Sequence, residues 1–357
     1  MERKNYKIAL TLLWMGMLLM ACNKETPITQ LPIDNGSKKA LILCEGSLGN
    51  GNASLTQYDI DSQQVIEDVF SAMNQQPIGD ILQSITPIGN QLFLCVNNSD
   101  KLLVVNKMTY ALEGTLSIPK PRYILPINES KAYVSTLFSN KVYIINPKAL
   151  TIDGSFELPT KNAENMLMWN DAAILCSWDT SNNKIYFIDT ATNKIEKSLE
   201  LPAKAPQECL LDKEGKLWVL SGDAYNKIDA TFLQLEPTTG QVLKTFKFPA
   251  ATEVIKPIFN QAKDSLYFIE VQYDGTPANN GIYRMNVQAS SLPSQPFIAA
   301  QSFQYFWGLG IEPSSGSIWV GDPKGFTQKG VVSIYQPNGS KVKEFKTGVG
   351  PSRFYFK

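Results

Sequence analysis

The feature that most limits what this chain can become is a unit repeated along it. The unit is an apolar run, a polar loop, a second apolar run ending in Asp or Asn, a turn, and a third run often closed by Pro. It reads LFLCVNNSDKLLVVNKMTYALEGTLSIP over 92–119 and KAYVSTLFSNKVYIINPKALTIDGSFELP over 131–159. Further copies occupy 172–202 and 216–249, looser ones run over 265–298 and 317–348, and the first begins at Ala40. Matching starts fall at Leu41, Leu92, Ala132, Ala173, Leu217, Leu266 and Ile318, a spacing of 40 to 52 residues that suits four short strands per unit.

The fourth strand lies just before each start, as at 123–127, 166–169 and 208–211. The strands that open the units, such as Leu217-Trp218-Val219-Leu220 and Leu266-Tyr267-Phe268-Ile269, are apolar without alternation. A sheet buried on both faces needs that pattern. The expected fold over 39–357 is therefore all-β: a seven-bladed β-propeller whose four-stranded blades run a (inner), b, c, d (outer). The first unit lacks an upstream a strand, and Arg353-Phe354-Tyr355-Phe356 at the chain's end can supply one. Closing the ring in this way removes two sheet edges.

The N-terminus reads as an address. Arg3, Lys4 and Lys7 precede an apolar run over 8–20 that ends in Ala21 and Cys22. This pattern fits a secretory signal over 1–21 rather than a membrane span. Leu19 and Ala21 before Cys22 resemble a bacterial lipobox, which makes Cys22 the expected site of lipid attachment. Residues 22–38 are polar, with Pro27, Pro32 and Gly36, and read as a tether; the pair Lys24-Glu25 resembles the surface-export signals of Bacteroidetes-type lipoproteins, which implies an outer-membrane, cell-surface position, with a periplasm-facing one as the alternative.

Composition then removes whole classes of function. The chain has no histidine, which excludes Ser-His-Asp and Cys-His catalysis and any histidine-bound metal. Without Arg3, Lys4, Lys7 and Glu2, 30 basic residues face 32 acidic ones, a net charge of −2. No basic field exists to attract nucleic acid. Cys44, Cys95 and Cys176 take equivalent b-strand positions on different blades, beyond disulfide reach, and are expected, like Cys209, as small buried side chains. Asp59, Asn106, Asn146, Asp189, Glu236 and Asn286 end the c strands and suit turns, since one carboxylate per turn is too few ligands for calcium. The chain is expected to bind rather than catalyse, with no metal and no catalytic cofactor.

In a propeller the b–c loops and the d–a connections share one face. Here the b–c loops carry Phe138, Trp178, Tyr225, Tyr273 and Phe326. The d–a connections carry Asp80, Arg122, Tyr123, Glu164, Gln207, Glu208, Phe306, Trp307 and Arg353. Aromatic rings among a few polar anchors suit a flat amphipathic ligand or a glycan. The densest group, Phe303, Tyr305, Phe306 and Trp307, is the leading candidate for contact. The glycine-rich stretch 46–52 has no following helix or lysine, so it reads as a mobile hairpin tip on this face rather than a phosphate loop.

Two resemblances add to this. KAYVSTLFSNKVYIIN and NNKIYFIDTATNKIEKSLELP resemble the YVTN/YncE-type seven-bladed propellers. LILCEGSLGNGNASLTQYD (41–59) and TGVGPSRFYF (347–356) are similar to the domain of Bacteroidetes lipoproteins that includes the BtuG-type surface proteins, which capture vitamin B12 beside a TonB-dependent transporter. The second resemblance implies a surface lipoprotein that binds a corrinoid as transported ligand and passes it to an outer-membrane transporter. Arg122, Glu164, Gln207 and Glu208 would then bond the ligand's amides and phosphate. With no histidine to displace the lower cobalt ligand, the corrinoid would be held intact. A glycan-binding lipoprotein of a polysaccharide-uptake system is the alternative, and a lactonase or lyase using Glu164, Glu208 or Asp80 a third.

Overall fold

A computed structural model describes residues 36–272, 280–302 and 304–357. The expected Cys22 anchor, Tyr273 and Phe303 lie outside the described residues. The described chain forms seven four-stranded antiparallel sheets, each one blade of a propeller. Six blades run in simple chain order, from the one built of residues 82–117 to the one built of residues 308–346. The remaining blade is assembled from both ends. Its inner strand is β28 (Pro351–Phe356), followed by β1 (Lys39–Cys44), β2 (Ser54–Asp59) and the short β3 (Val65–Ile66). Ala40 faces Phe356 and Leu43 faces Arg353 across the β1–β28 ladder, as the terminal FYF motif led us to expect.

The seven b strands are buried along almost their whole length, including β1, β13 (Ala172–Ser177) and β25 (Ile318–Asp322). Outer strands such as β11 (Thr151–Glu157) and β15 (Lys194–Glu200) are mostly exposed. Hydrophobic clusters fill the spaces between neighbouring blades rather than one central core. At the seam between the last blade and the first, Trp319 meets Tyr58, Phe345, Phe354 and Phe356 with ring centroids 5.3–6.0 Å apart.

The c-strand caps behave largely as expected. Asp59, Asn106, Asn146, Asp189 and Asn286 accept backbone N–H bonds from two or three residues ahead, at 2.6–3.1 Å. Glu236 differs: its carboxylate accepts from Lys216 Nζ at 2.6 Å, and its backbone carbonyl closes the turn. Among the described residues Cys44, Cys95, Cys176 and Cys209 are free and buried, and burial pushes the Cys44 thiol up to about 11 and Cys95 to about 12. One element went unforeseen. Helix α1 (Val69–Asn74) is capped by Asp68, buries Val69 and Phe70, and uses Asn74 to bond Tyr110 and Leu112 of the next blade.

Glu270, in β21 (Ser265–Val271), is buried, and burial raises its pKa to about 7. The folded protein thus holds a proton that the unfolded chain releases near pH 4.5. This group's contribution to stability is greatest below that pH and falls away as pH rises through 7. Glu270→Gln should therefore melt a few degrees above the parent at pH 8 and alongside it at pH 4. Scanning calorimetry at the two pH values reads the difference; equal melting curves at pH 8 would contradict it.

Candidate binding site at the axial mouth

The inner strands position the site. In five blades the residue before the inner strand has a left-handed φ: Ile81, Lys120, Asn162, Ala205 and Gly350. The inner strand then opens with a register shift against its b strand in each of these blades. Such bulges bend a strand and re-aim side chains. Here they accompany the side chains of Gln83, Arg122, Tyr123, Glu164, Gln207, Glu208 and Arg353 that gather at the propeller axis.

These residues line a pocket of about 450 Å³. Arg122 forks onto Glu164, with Nε to Oε2 at 2.8 Å and Nη2 to Oε1 at 2.5 Å, and its Nη1 donates to Gln83 Oε1 at 2.6 Å. Trp178 Nε1 donates to the same Glu164 carboxylate at 3.1 Å. Arg353, from the first blade, reaches across the axis to donate to Tyr123 of the third blade and to Glu208 of the fifth, the latter at 3.3 Å. The Nε of Arg353 is buried without a partner. Burial raises the Tyr123 phenol above its usual range, and burial raises Glu208 against the opposing pull of Arg353.

Of the residues expected from sequence, Arg122, Tyr123, Glu164, Trp178, Gln207, Glu208, Trp307 and Arg353 come together in this pocket. Because Trp178 belongs to a b–c loop and the others to d–a connections, both sets do share one face. Others stand elsewhere. Phe306 is 3 % exposed and packs in the core between the sixth and seventh blades, with Tyr305 against the same cluster. Of the described members of that group, Trp307 lines the axial pocket, and Tyr305, Phe306 and Trp307 line the adjoining cavity. Asp80 is buried and serves the 46–52 loop: its Oδ2 accepts from Gly49 N at 2.8 Å and Asn98 Nδ2 at 2.5 Å. That loop is thus tied down rather than a free tip, and it presents Leu48 to the pocket. Phe138 and Tyr225 are 68 % and 94 % exposed but do not line the pocket; Leu137 and Asp223 beside them do. Phe326 packs edge-on against Trp307, and the two rings border an adjoining cavity of about 550 Å³.

Sequence reasoning missed Glu45, Gln83, Glu253 and Lys256. Glu45 accepts from Trp307 Nε1 at 3.1 Å and faces Lys256 Nζ at 3.8 Å. An acidic residue directly after the apolar run 40–44 was the available signal. Among the described residues no group of Cys, Asp and Glu side chains is placed to hold a metal ion, and no helix is long and apolar enough to cross a membrane.

The family described as a domain of unknown function (DUF5074) matches residues 38–356. The chain belongs to the DUF5074 family. Its match covers the whole propeller, including both strands of the closing ladder. Among solved structures, the DUF5074 propeller is similar to a quinonprotein alcohol dehydrogenase-like protein from Bacteroides thetaiotaomicron. That likeness has a TM-score of 0.68 and 18% identity, over 90% of this chain and 78% of the other. It is also similar to apo AztD from Citrobacter koseri, with TM-score 0.57 and 10% identity over 90% and 98% of the two chains. The dihydro-heme d1 dehydrogenase NirN gives TM-score 0.60 and 9% identity over 91% and 76%. At such identities these likenesses establish the fold alone. No curated protein matches the DUF5074 chain in sequence.

Proposed function

We propose that this propeller is a capture protein, which takes an amphipathic ligand at the axial mouth and performs no chemistry of turnover on it. The observation that carries the reading is the pre-paired lining of the pocket. Glu164 is locked by Arg122 and Trp178, and Glu208 is met by Arg353. Carboxylates held by guanidinium groups are poor general acids and bases, while a rigid lining favours binding because little order is lost when a ligand arrives.

A corrinoid is the ligand we propose, on the strength of the sequence resemblance at 41–59 and 347–356. A corrin ring with its nucleotide loop exceeds a pocket of about 450 Å³. It would lie across the mouth, send amide arms toward Arg122, Gln207 and Glu208, and cover Leu48, which is 74 % exposed. The same proposal includes lipid attachment at Cys22 and hand-off to a TonB-dependent outer-membrane transporter. The pocket's volume favours a second reading, the end of a glycan stacked between Trp178 and Trp307.

Calorimetric titration of residues 37–357 with cyanocobalamin tests the first reading. Saturable one-to-one binding is expected, weakened about tenfold by Trp178→Ala or Trp307→Ala, the equivalent of about 1.4 kcal/mol each. No heat at high micromolar ligand would remove the corrinoid, and binding of oligosaccharides on an array would then establish the glycan.

A further inference from the structure

Lys256 stands apart from every other charged group in the pocket. It sits inside β20 (Glu253–Phe259), where the strand slips register between Ile255 and Ile258. Its φ is +54°, and among the described residues it is the one non-glycine within a β-strand to adopt a left-handed φ. Left-handed backbone at a non-glycine costs of order 1–3 kcal/mol and persists where the surroundings impose it, commonly at functional sites. The bulge accompanies an amine that lines the pocket with its side chain only 10 % exposed.

That amine has no hydrogen bond among the described residues. Its ion pair with Glu45 is 3.8 Å long, beyond hydrogen-bond reach, and it lies 5.3 Å over the Trp307 ring. Arg122 and Arg353, in contrast, are both hydrogen-bonded to carboxylates. The charged groups acting on Lys256 are Arg353 and Arg122, which repel its proton, and Glu45 and Glu208, which retain it. Burial comes first among these influences and Arg353 second, and together they bring its pKa down to about 8. Desolvation beside a second cation is one of the ways in which proteins make a lysine nucleophilic.

We propose that Lys256 captures small aldehydes in the axial pocket as a reversible imine. The lone pair of the neutral amine attacks the carbonyl carbon, and the carbonyl oxygen takes up a proton to give a carbinolamine. That hydroxyl leaves as water while nitrogen loses its remaining proton, so aldehyde and amine become imine and one water with no oxidant consumed. Glu45, facing the nitrogen, is the carboxylate placed to relay these protons. This chemistry goes beyond ligand capture at the mouth and stands whether or not a corrinoid binds there.

The experiment is reductive trapping with acetaldehyde and sodium cyanoborohydride at pH 7, followed by peptide mass spectrometry of all lysines. At that pH the neutral fraction of an amine titrating near 8 exceeds that of an ordinary lysine by more than about a hundredfold. Lys256 should be alkylated at least about tenfold faster than exposed lysines such as Lys329 and Lys341, allowing for its lower intrinsic nucleophilicity. Lys256→Arg, which keeps the cation, should abolish the fast phase and leave the slow surface labelling unchanged. Glu45→Gln should slow the fast phase with Lys256 still the first site labelled. Labelling of Lys256 at the surface rate, in a protein whose melting curve is that of the native fold, would overturn the proposal. So would a fast phase that survives in Lys256→Arg.

Discussion

A chain ending at Gly350 is expected to yield no stable folded monomer. The missing residues form β28, which pairs along β1 and supplies the inner strand of the first blade. Without it, β1 becomes an open edge of buried sequence, an invitation to pairing between chains. Phe354 and Phe356 also leave the ring cluster around Trp319. The single substitution that probes the same seam is Trp319→Ala. Trp319 is 1 % exposed, and replacing a fully buried Trp by Ala typically removes about 3–5 kcal/mol. Denaturant unfolding of the substituted protein, and gel filtration of the truncated one, read the two effects. A monomeric, cooperatively melting truncated chain would show that six blades hold without closure.

The second large effect is expected at Arg122. Its side chain and that of Glu164 are 17 % and 8 % exposed, and the pair is bidentate. Arg122→Met leaves Glu164 with the Trp178 indole as its remaining side-chain donor, and an unpaired buried charge of this kind costs about 3–5 kcal/mol. Arg122→Met combined with Glu164→Gln removes the stranded charge and should recover most of the loss, since a buried ion pair adds little over a neutral replacement. Urea unfolding of the single and double variants gives the comparison. Equal destabilisation in both would mean that the pair is not energetically coupled.

These effects concern parts of the molecule that differ in how plainly the sequence announced them. The blades were legible because a sheet packed on both faces demands uninterrupted apolar runs, as in 217–220 and 266–269, and because Asp and Asn caps mark where five of the c strands stop. The axial residues Arg122, Glu164, Glu208, Trp307 and Arg353 were legible for a topological reason: they stand where a d–a connection turns into an inner strand. Lys256 was not. It lies three residues into its strand, and its place in the pocket goes with a backbone irregularity that leaves no mark in residue type. Phe306 misled in the opposite sense, because a run of aromatic residues looks the same whether it faces solvent or fills the space between blades. Helix α1 escaped because six residues are too few to show a helical period.

The direction of β1 fixes how the molecule can be held. The strand begins at Lys39, bonded to Lys357 through both backbone groups at 3.1 and 2.8 Å, and delivers the chain to Glu45 in the pocket. Six extended residues span roughly 20 Å, so residue 39 enters on the side away from the pocket. The first strand of the described chain thus starts at the end of the ladder opposite the mouth. A force applied at residue 39 would load the β1–β28 ladder along its length, so the seam that completes the ring is also the joint that would bear the strain.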